Sequence, residues 1–305
     1  MIQEFWRSSE AVINTYRVMF NITAHDPLSR VDPLLEVLRG YDEIPAAHKD
    51  VFIYIDYEHR ADKETLLDLL EPNLESLKLE IIVAGPAYQG FSLCWSHKRI
   101  LKLAVESKAY DIYVYSENDM MFTNEHYIYW LTYRQYLKPL NLEPGFCRYE
   151  RYDDKCVPFD NYRRWRLSEP TPDVWGNRSY RVQTYLTPTL DVIGFISLGN
   201  PYMGLMVLDQ DMADAYIVSQ SFDPARSFEL TRHRCWPIAD RSSMGLAFEN
   251  LTGDQEHRRV VPIVRENSKV TIAPCGLVEH LDKKYSKRLA DEDGTLMDIS
   301  EMLVV

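Results

Sequence analysis

The run Asp111-Ile112-Tyr113-Val114-Tyr115-Ser116-Glu117-Asn118-Asp119-Met120-Met121-Phe122 decides the fold. Its first half is a short segment rich in β-formers with no strict polar alternation, as expected of a strand buried on both faces. Its second half is a polar triplet, Glu117-Asn118-Asp119, that ends the strand before apolar residues resume. Three segments of the same kind lie upstream: Tyr16–Thr23, Asp50–Tyr57 and Leu79–Ala84, the last closed by Gly85-Pro86. Helical patterns separate them over Asp32–Arg39, with Pro33 at a first-turn position, over Lys63–Leu70, and over Cys94–Ser107. In the last of these, Ile100, Leu103 and Ala104 are expected to face inward and the Lys and Arg residues outward. Unalternated strands separated by helices indicate a parallel sheet covered on both faces. Ligands of such sheets bind beyond the carboxyl ends of the strands, so a site is expected just after Thr23, Ile55, Ala84 and Ser116.

The second half is less regular. Residues 141–190 are crowded with Pro, Arg and aromatic residues and are expected to form extended loops and short strands. Order returns with Asp191–Leu198, an apolar strand after Asn200-Pro201-Tyr202-Met203-Gly204, and a helix from Asp211 to Ser219. A further helix is expected over Arg241–Glu249, strands over Val260–Val264 and Val270–Ile272, and a loosely held acidic tail after Ser286.

Composition narrows the function. The chain has 305 residues, 46% of them hydrophobic and 12% aromatic, and carries 34 Lys+Arg against 46 Asp+Glu for a net charge of −12. A chain of this length buries roughly 75% of its unfolded surface and needs no disulfide staples. The acidic balance disfavours a general nucleic-acid binder, which needs a basic face to displace counterions from phosphates. A nucleotide ligand stays compatible if positive charge is supplied locally, as a metal ion would do. No signal peptide and no apolar run of membrane-spanning length is visible. The five cysteines are an odd number without a CxxC pair, which fits reduced thiols in the cytoplasm; a lumenal domain trimmed of its anchor is the alternative. Cys147 and Cys156 are close enough in sequence to pair, although free thiols are the simpler expectation. Sequons begin at Asn21, Asn177 and Asn250. Asn21 falls inside an expected buried strand, where a glycan has no room.

Two carboxylates spaced i and i+2 at a strand end can both approach one hard divalent cation, and oxygen ligands of this kind suit Mg²⁺ or Mn²⁺. A helix N-cap or a solvated turn would use the same residues, so placement after the fourth strand is what raises the motif. Lys98 and Arg99 lie where they could reach a diphosphate from their helix, although such pairs more often sit on a solvated face. Trp165, Trp175, Tyr202 and Trp236 offer flat faces for sugar rings, although most Trp residues belong to cores. Tyr162-Arg163-Arg164-Trp165-Arg166 suits an ion-paired loop or an anionic acceptor better than RNA, given the charge of the chain. No G-x-G-x-x-G, no G-x-x-x-x-G-K-[ST] and no G-x-S-x-G occurs, which disfavours dinucleotide, P-loop and serine-hydrolase chemistry.

With Glu117-Asn118-Asp119 in this position, the chain resembles the metal-dependent, nucleotide-sugar glycosyltransferases of the GT-A fold, whose signature is an Asp-x-Asp-like motif after the fourth strand of a Rossmann-like half. Here Glu stands in the first position of that motif. Asn200-Pro201-Tyr202-Met203-Gly204, and Glu279-His280-Leu281 followed by Tyr285, are similar to acceptor-side segments of such enzymes. The resemblance implies one GT-A-like α/β domain over residues 1–305, with a mixed central sheet, a nucleotide-sugar-binding half over 1–140 and an irregular acceptor-binding half over 141–305. It implies transfer of a sugar from a UDP- or GDP-sugar to a carbohydrate or other hydroxyl acceptor, in glycan or polysaccharide synthesis, with Mn²⁺ or Mg²⁺. Asp119 and His280 would hold the metal. A surface or core histidine is the plainer role for His280. Thr23, His25, Asp56, Arg99, Glu117 and Asn118 would bind the nucleotide-sugar, with Asp26 in the same loop as His25. Tyr202 and Trp236 would bind the acceptor. Asp240, before Arg241-Ser242-Ser243-Met244, would be the base of an inverting enzyme, although an N-cap aspartate fits the same place. Asp254 and Glu256 are weaker alternatives. Two rival functions are a nucleotidyltransferase, whose Gly-rich phosphate loop is missing from residues 21–31, and a non-catalytic carbohydrate- or protein-binding module.

Overall fold

The computed structural model describes residues 14–162, 164–166, 170–172, 179–181, 184–185, 194–200, 204–231, 241–249, 257–266, 269–293 and 296–304. The chain forms two compact units. The first takes Met1–Asp119, Gly204–Leu230 and Trp236–Leu246, and the second takes Met120–Met203, Thr231–Cys235 and Ala247–Val305. The compact units therefore change over at Asp119, whereas the division at residue 140 is one of expected role.

The first unit is the Rossmann-like α/β layer expected from the sequence. Strands β1 (Arg17–Ala24), β2 (His48–Ile55), β3 (Lys78–Val83) and β4 (Ile112–Glu117) run parallel, interleaved with helices α1 (Val31–Asp42), α2 (Lys63–Leu70) and α3 (Lys98–Glu106). A returning strand, Leu205–Asp209, pairs antiparallel with β4, so the sheet is mixed and its order is returning strand–β4–β1–β2–β3. Every residue of β1 after Arg17 is buried. A run of consecutive buried residues requires cover on both faces of the sheet, which is why β1 carries no polar alternation. α1 turns Leu34, Val37, Leu38 and Tyr41 inward, and Tyr41 stacks on Phe20 at 4.1 Å between ring centroids. Asn21 is buried in β1, where its amide donates to the Val114 carbonyl at 3.2 Å and accepts from the Tyr54 hydroxyl at 3.1 Å. That environment has no room for a glycan. Among the described residues, no helix is long and apolar enough to cross a membrane.

Three sequence expectations change here. α3 is preceded by a 3-10 segment over Gly90–Trp95, and its inward face is Lys98, Leu101, Ala104 and Val105, while Leu103 is exposed. Lys98 is thus not on a solvated face. Its ammonium donates to the carbonyls of Ser221 and Phe222 and lies 3.7 Å from the centre of the Trp95 ring. A buried ammonium so held is a packing element, and burial lowers its pKa well below the ordinary lysine value. The helix expected over 241–249 is interrupted: Arg241 and Ser242 are helical, the chain breaks at Ser243–Met244, and a 3-10 turn covers Gly245–Phe248, where Gly245 has a left-handed φ of 54° that does not continue an α-helix.

In the second unit, β5 (Met120–Met121), β6 (Cys147–Tyr152), β7 (Lys155–Val157) and β8 (Leu277–His280) form one sheet in the order β5–β8–β6–β7. A second sheet joins Thr184–Tyr185, Gly194–Ile196, Arg259–Glu266 and Lys269–Ile272, with Glu143–Pro144 alongside Arg259–Glu266. Helix α4 (Asn124–Leu137) opens with a capping box in which Thr123 and His126 satisfy each other's exposed backbone groups. The segment after Ser286 is not loose. It continues a helix over Lys284–Asp293, and Ile299, Met302 and Leu303 then join a core cluster with Cys147, Ile196, Leu198, Val261, Ile263 and Ile272. The acidic residues of Asp291–Asp293 had masked this apolar ending. Cys94, Cys147, Cys156 and Cys275 are free thiols, so Cys147 and Cys156 do not pair.

Because Met302 is fully buried in that cluster, Met302→Ala is expected to destabilise the protein by about 2–5 kcal/mol, measured as a lowered urea midpoint. A peripheral tail would leave the midpoint unchanged.

Candidate functional site

The strand order of the first unit defines its site. The chain runs β1, β2, β3 toward one edge and then returns with β4 on the other side of β1, so the order reverses between β1 and β4. Open α/β sheets bind ligands at this switch point, beyond the carboxyl ends. Thr23 of β1 and Glu117 of β4 are register partners there, and the Asn118 amide N–H donates to the Thr23 carbonyl at 3.1 Å. The Thr23 hydroxyl is hydrogen-bonded to the Tyr115 hydroxyl at 3.1 Å, and the Ser116 hydroxyl to that of Tyr41 at 2.6 Å. Asn118 and Asp119 are buried, and the Asn118 side-chain Nδ2 has no hydrogen-bond partner among the described residues. A buried amide left without an acceptor costs about 1–3 kcal/mol, so its position at a ligand-binding strand end is informative.

Asp119 is paired with Arg30 at 3.3 Å. Arg30 comes from the loop after β1 and places a guanidinium at this acidic corner. The sequence reading passed over it, although it closes the polar loop Ala24–Arg30 that follows the first strand.

At the end of β2, the buried carboxylate of Asp56 bonds the His25 Nδ1 through one oxygen and accepts from the Gly90 N–H at 3.1 Å through the other. Gly90 has a φ of 53°, in the left-handed region that favours glycine, and this turn lets its N–H meet the carboxylate. Asp56 therefore ties together the loops after β1, β2 and β3, and His25 remains half exposed. Glu58 stands close by, with ligand atoms of His25, Asp56 and Glu58 within 4.8 Å of one another. Arg99 is exposed on α3.

In the second unit His280 is buried at the end of β8, where it is the register partner of Met120. Met120 directly follows Asp119 in the chain. His280 Nδ1 is 2.7 Å from Glu150 Oε1, and the ring is tilted against Phe159 and Tyr285 at 5.4 and 5.6 Å, two rings that themselves stack at 4.5 Å between centroids. Glu150 is fully buried and also accepts from the backbone N–H groups of Tyr285 at 3.4 Å and Ser286 at 2.6 Å. Burial pushes its pKa up, but the hydrogen bonds from His280 and Ser286 outweigh it and hold the carboxyl below its ordinary value. Asp282, two residues on, offers an oxygen within 4.8 Å of a His280 ring nitrogen. An imidazole backed by a carboxylate, with a second carboxylate beside it, is a donor set that suits Mn²⁺. Glu150 and Asp282 were missed in the sequence. Glu150 lies inside the charged string Arg148–Asp154, where nothing in the spacing marks the one carboxylate that turns inward.

Beside this pair, Arg148 grips Asp160 through two bonds of 2.7 Å and covers the Phe159 ring at 4.2 Å. His126 anchors the start of β8. Its Nε2–H donates to the Leu277 carbonyl at 2.6 Å while Nδ1 accepts from the Thr123 N–H at 2.9 Å. Asp240, Tyr202 and Trp236 lie outside the described residues, as do Trp175, Asp254, Glu256, Asn177 and Asn250.

No protein-family model matches the chain, and no curated protein matches it. Among solved structures, UDP-glucose pyrophosphorylase complexed with UDP-glucose is similar over 66% of this chain and 78% of its own, at 9% identity and a TM-score of 0.35. A likeness at that level assigns neither an activity nor a role to any residue.

His126 is held neutral, its pKa lowered to about 4 chiefly by burial and only partly restored by the bond to Leu277. A histidine with a depressed folded pKa takes up its proton more readily when unfolded. Its contribution is complete above the ordinary histidine pKa near 6.5 and is lost as pH falls toward 4. Gln preserves the capping-box pattern but does not titrate. His126→Gln is expected to flatten the fall in unfolding free energy between pH 6.5 and 4, read from urea unfolding at each pH. Parallel curves for the two proteins would refute this.

Proposed function

We propose that the protein is a glycosyltransferase that moves a sugar from a UDP- or GDP-sugar to an acceptor hydroxyl in glycan or polysaccharide synthesis, using Mn²⁺ or Mg²⁺. The observation that carries the reading is the register of β5 and β8. His280, an imidazole backed by Glu150, pairs with Met120, and the chain leads from Met120 directly back to Asp119 at the end of β4. Asp119 and His280 are the proposed metal ligands, with Asp282 beside them.

The bound cation would neutralise the diphosphate leaving group, the largest electrostatic demand of the transfer. The chain's own residues do the rest. Thr23, Glu117 and Asn118 at the switch point bind the donor, and the Asn118 amide supplies a donor for one of its oxygens. His25, oriented by Asp56, binds the nucleoside side. Arg30, paired with Asp119, adds the positive charge that a chain of net charge −12 must supply locally for a diphosphate. Arg99 on α3 is a further contact to the diphosphate. The irregular half over 141–305 receives the acceptor through Tyr202 and Trp236, and Asp240 removes the proton of the attacking hydroxyl if the reaction inverts configuration. The cysteine pattern supports a reducing, cytoplasmic setting.

The test is a panel of UDP- and GDP-sugars with and without Mn²⁺, scored for free nucleoside diphosphate and for nucleoside triphosphate formed when pyrophosphate is added. Metal-dependent diphosphate release supports glycosyl transfer. Triphosphate formation would assign nucleotidyl transfer instead, and no donor binding with metal would assign a non-catalytic module. Asp119→Ala is expected to abolish metal-dependent turnover while circular dichroism stays that of the parent. Turnover retained in that variant refutes the metal assignment.

A further inference from the structure

We propose that Glu150 is a positioning residue that holds His280 as its Nδ1–H tautomer and so presents Nε2 to the divalent cation. The proposal rests on the metal reading above and deepens it.

The geometry is built rather than incidental. β6 and β8 run in parallel register, Leu277 with Cys147, Val278 with Arg148 and Glu279 with Tyr149. The residues that follow on each strand are His280 and Glu150, whose side chains meet at 2.7 Å with both residues buried. A carboxylate is acceptor-only when ionised, and each neighbour that Glu150 meets is a donor: the backbone N–H of Tyr285, the backbone N–H of Ser286 and His280. The His280 nitrogen facing it must therefore carry hydrogen, and a neutral ring then has its lone pair on Nε2. The stacked rings of Phe159 and Tyr285 pack against the imidazole in tilted contacts and add to the hold of Glu150. The other buried carboxylate close by, Asp160, is already engaged through both oxygens by Arg148, which leaves Glu150 to serve His280. Such backing carboxylates fix the orientation of a ligating imidazole and raise its basicity.

Glu150 also receives N–H groups from the first turn of the helix over Lys284–Asp293, so a purely structural role must be distinguished from the positioning role. Mn²⁺ alone is the probe, with free ion counted by electron paramagnetic resonance against the full chain. Glu150→Gln is expected to weaken Mn²⁺ binding about 10–100-fold, and His280→Ala at least as much. The double variant is expected to bind no more weakly than His280→Ala, because Glu150 acts through His280. In the metal-free wild-type protein, ¹⁵N-histidine NMR is expected to show His280 protonated on Nδ1. An Nε2–H tautomer there overturns the proposal whether or not the variants fold. Wild-type Mn²⁺ affinity in folded Glu150→Gln, with His280→Ala weakened, overturns the positioning role and leaves the metal reading standing. Mn²⁺ binding indifferent to His280→Ala removes the metal reading and the proposal with it.

Discussion

Thr23 faces Glu117 across the β1–β4 ladder because Val18 pairs with Ile112 at the other end of the same parallel register. That ladder is the constraint on which the first unit depends. Both faces of β1 are buried, so a slip of one residue would exchange the side chains that pack on the two sides of the sheet. Fixing the ladder fixes where both strands stop, and where they stop sets which polar residues gather at the switch point. The polar triplet Glu117–Asp119 is a site candidate through this register more than through its composition.

Charge follows from placement. The Asp119 side chain is 4% exposed, and a carboxylate so buried must be compensated. Arg30 meets that need from the loop after β1. At the adjoining strand end the same economy appears in Asp56, whose two oxygens are shared between His25 and the Gly90 N–H. The carboxyl ends of β1, β2 and β4 thus collect acidic groups that are each held by a donor, alongside a buried amide in Asn118 that has an unmet donor.

The second unit solves a related problem with two neighbouring pairs. Arg148 with Asp160 and His280 with Glu150 bury charged or polar groups around the Phe159 ring. Removing one partner of such a pair leaves the other stranded, which typically costs more than the pair contributes. Both pairs draw on β6, and β6 is held between β8 and β7. The segment that closes this unit, Leu296–Leu303, buries Ile299, Met302 and Leu303 in the neighbouring core, so the chain's last described residues are structural.

The sequence by itself determined the four parallel strands, the helices between them and the return strand after Gly204, because each buried element is written as a local run whose period can be counted. It also marked Glu117, Asn118, Asp119 and the residues after Thr23 and Ile55 as strand-end groups, since strand ends are local features too. What it could not determine was which way single polar residues turn. Lys98 reads as a surface lysine of an amphipathic helix and is buried, donating to the carbonyls of Ser221 and Phe222. Glu150 reads as one charge in a charged string and becomes the partner of a histidine 130 positions away. Arg30 reads as a turn residue and pairs with Asp119. These are choices among long-range partners, and no local period encodes a partner. Only the packing of segments distant in sequence decided them.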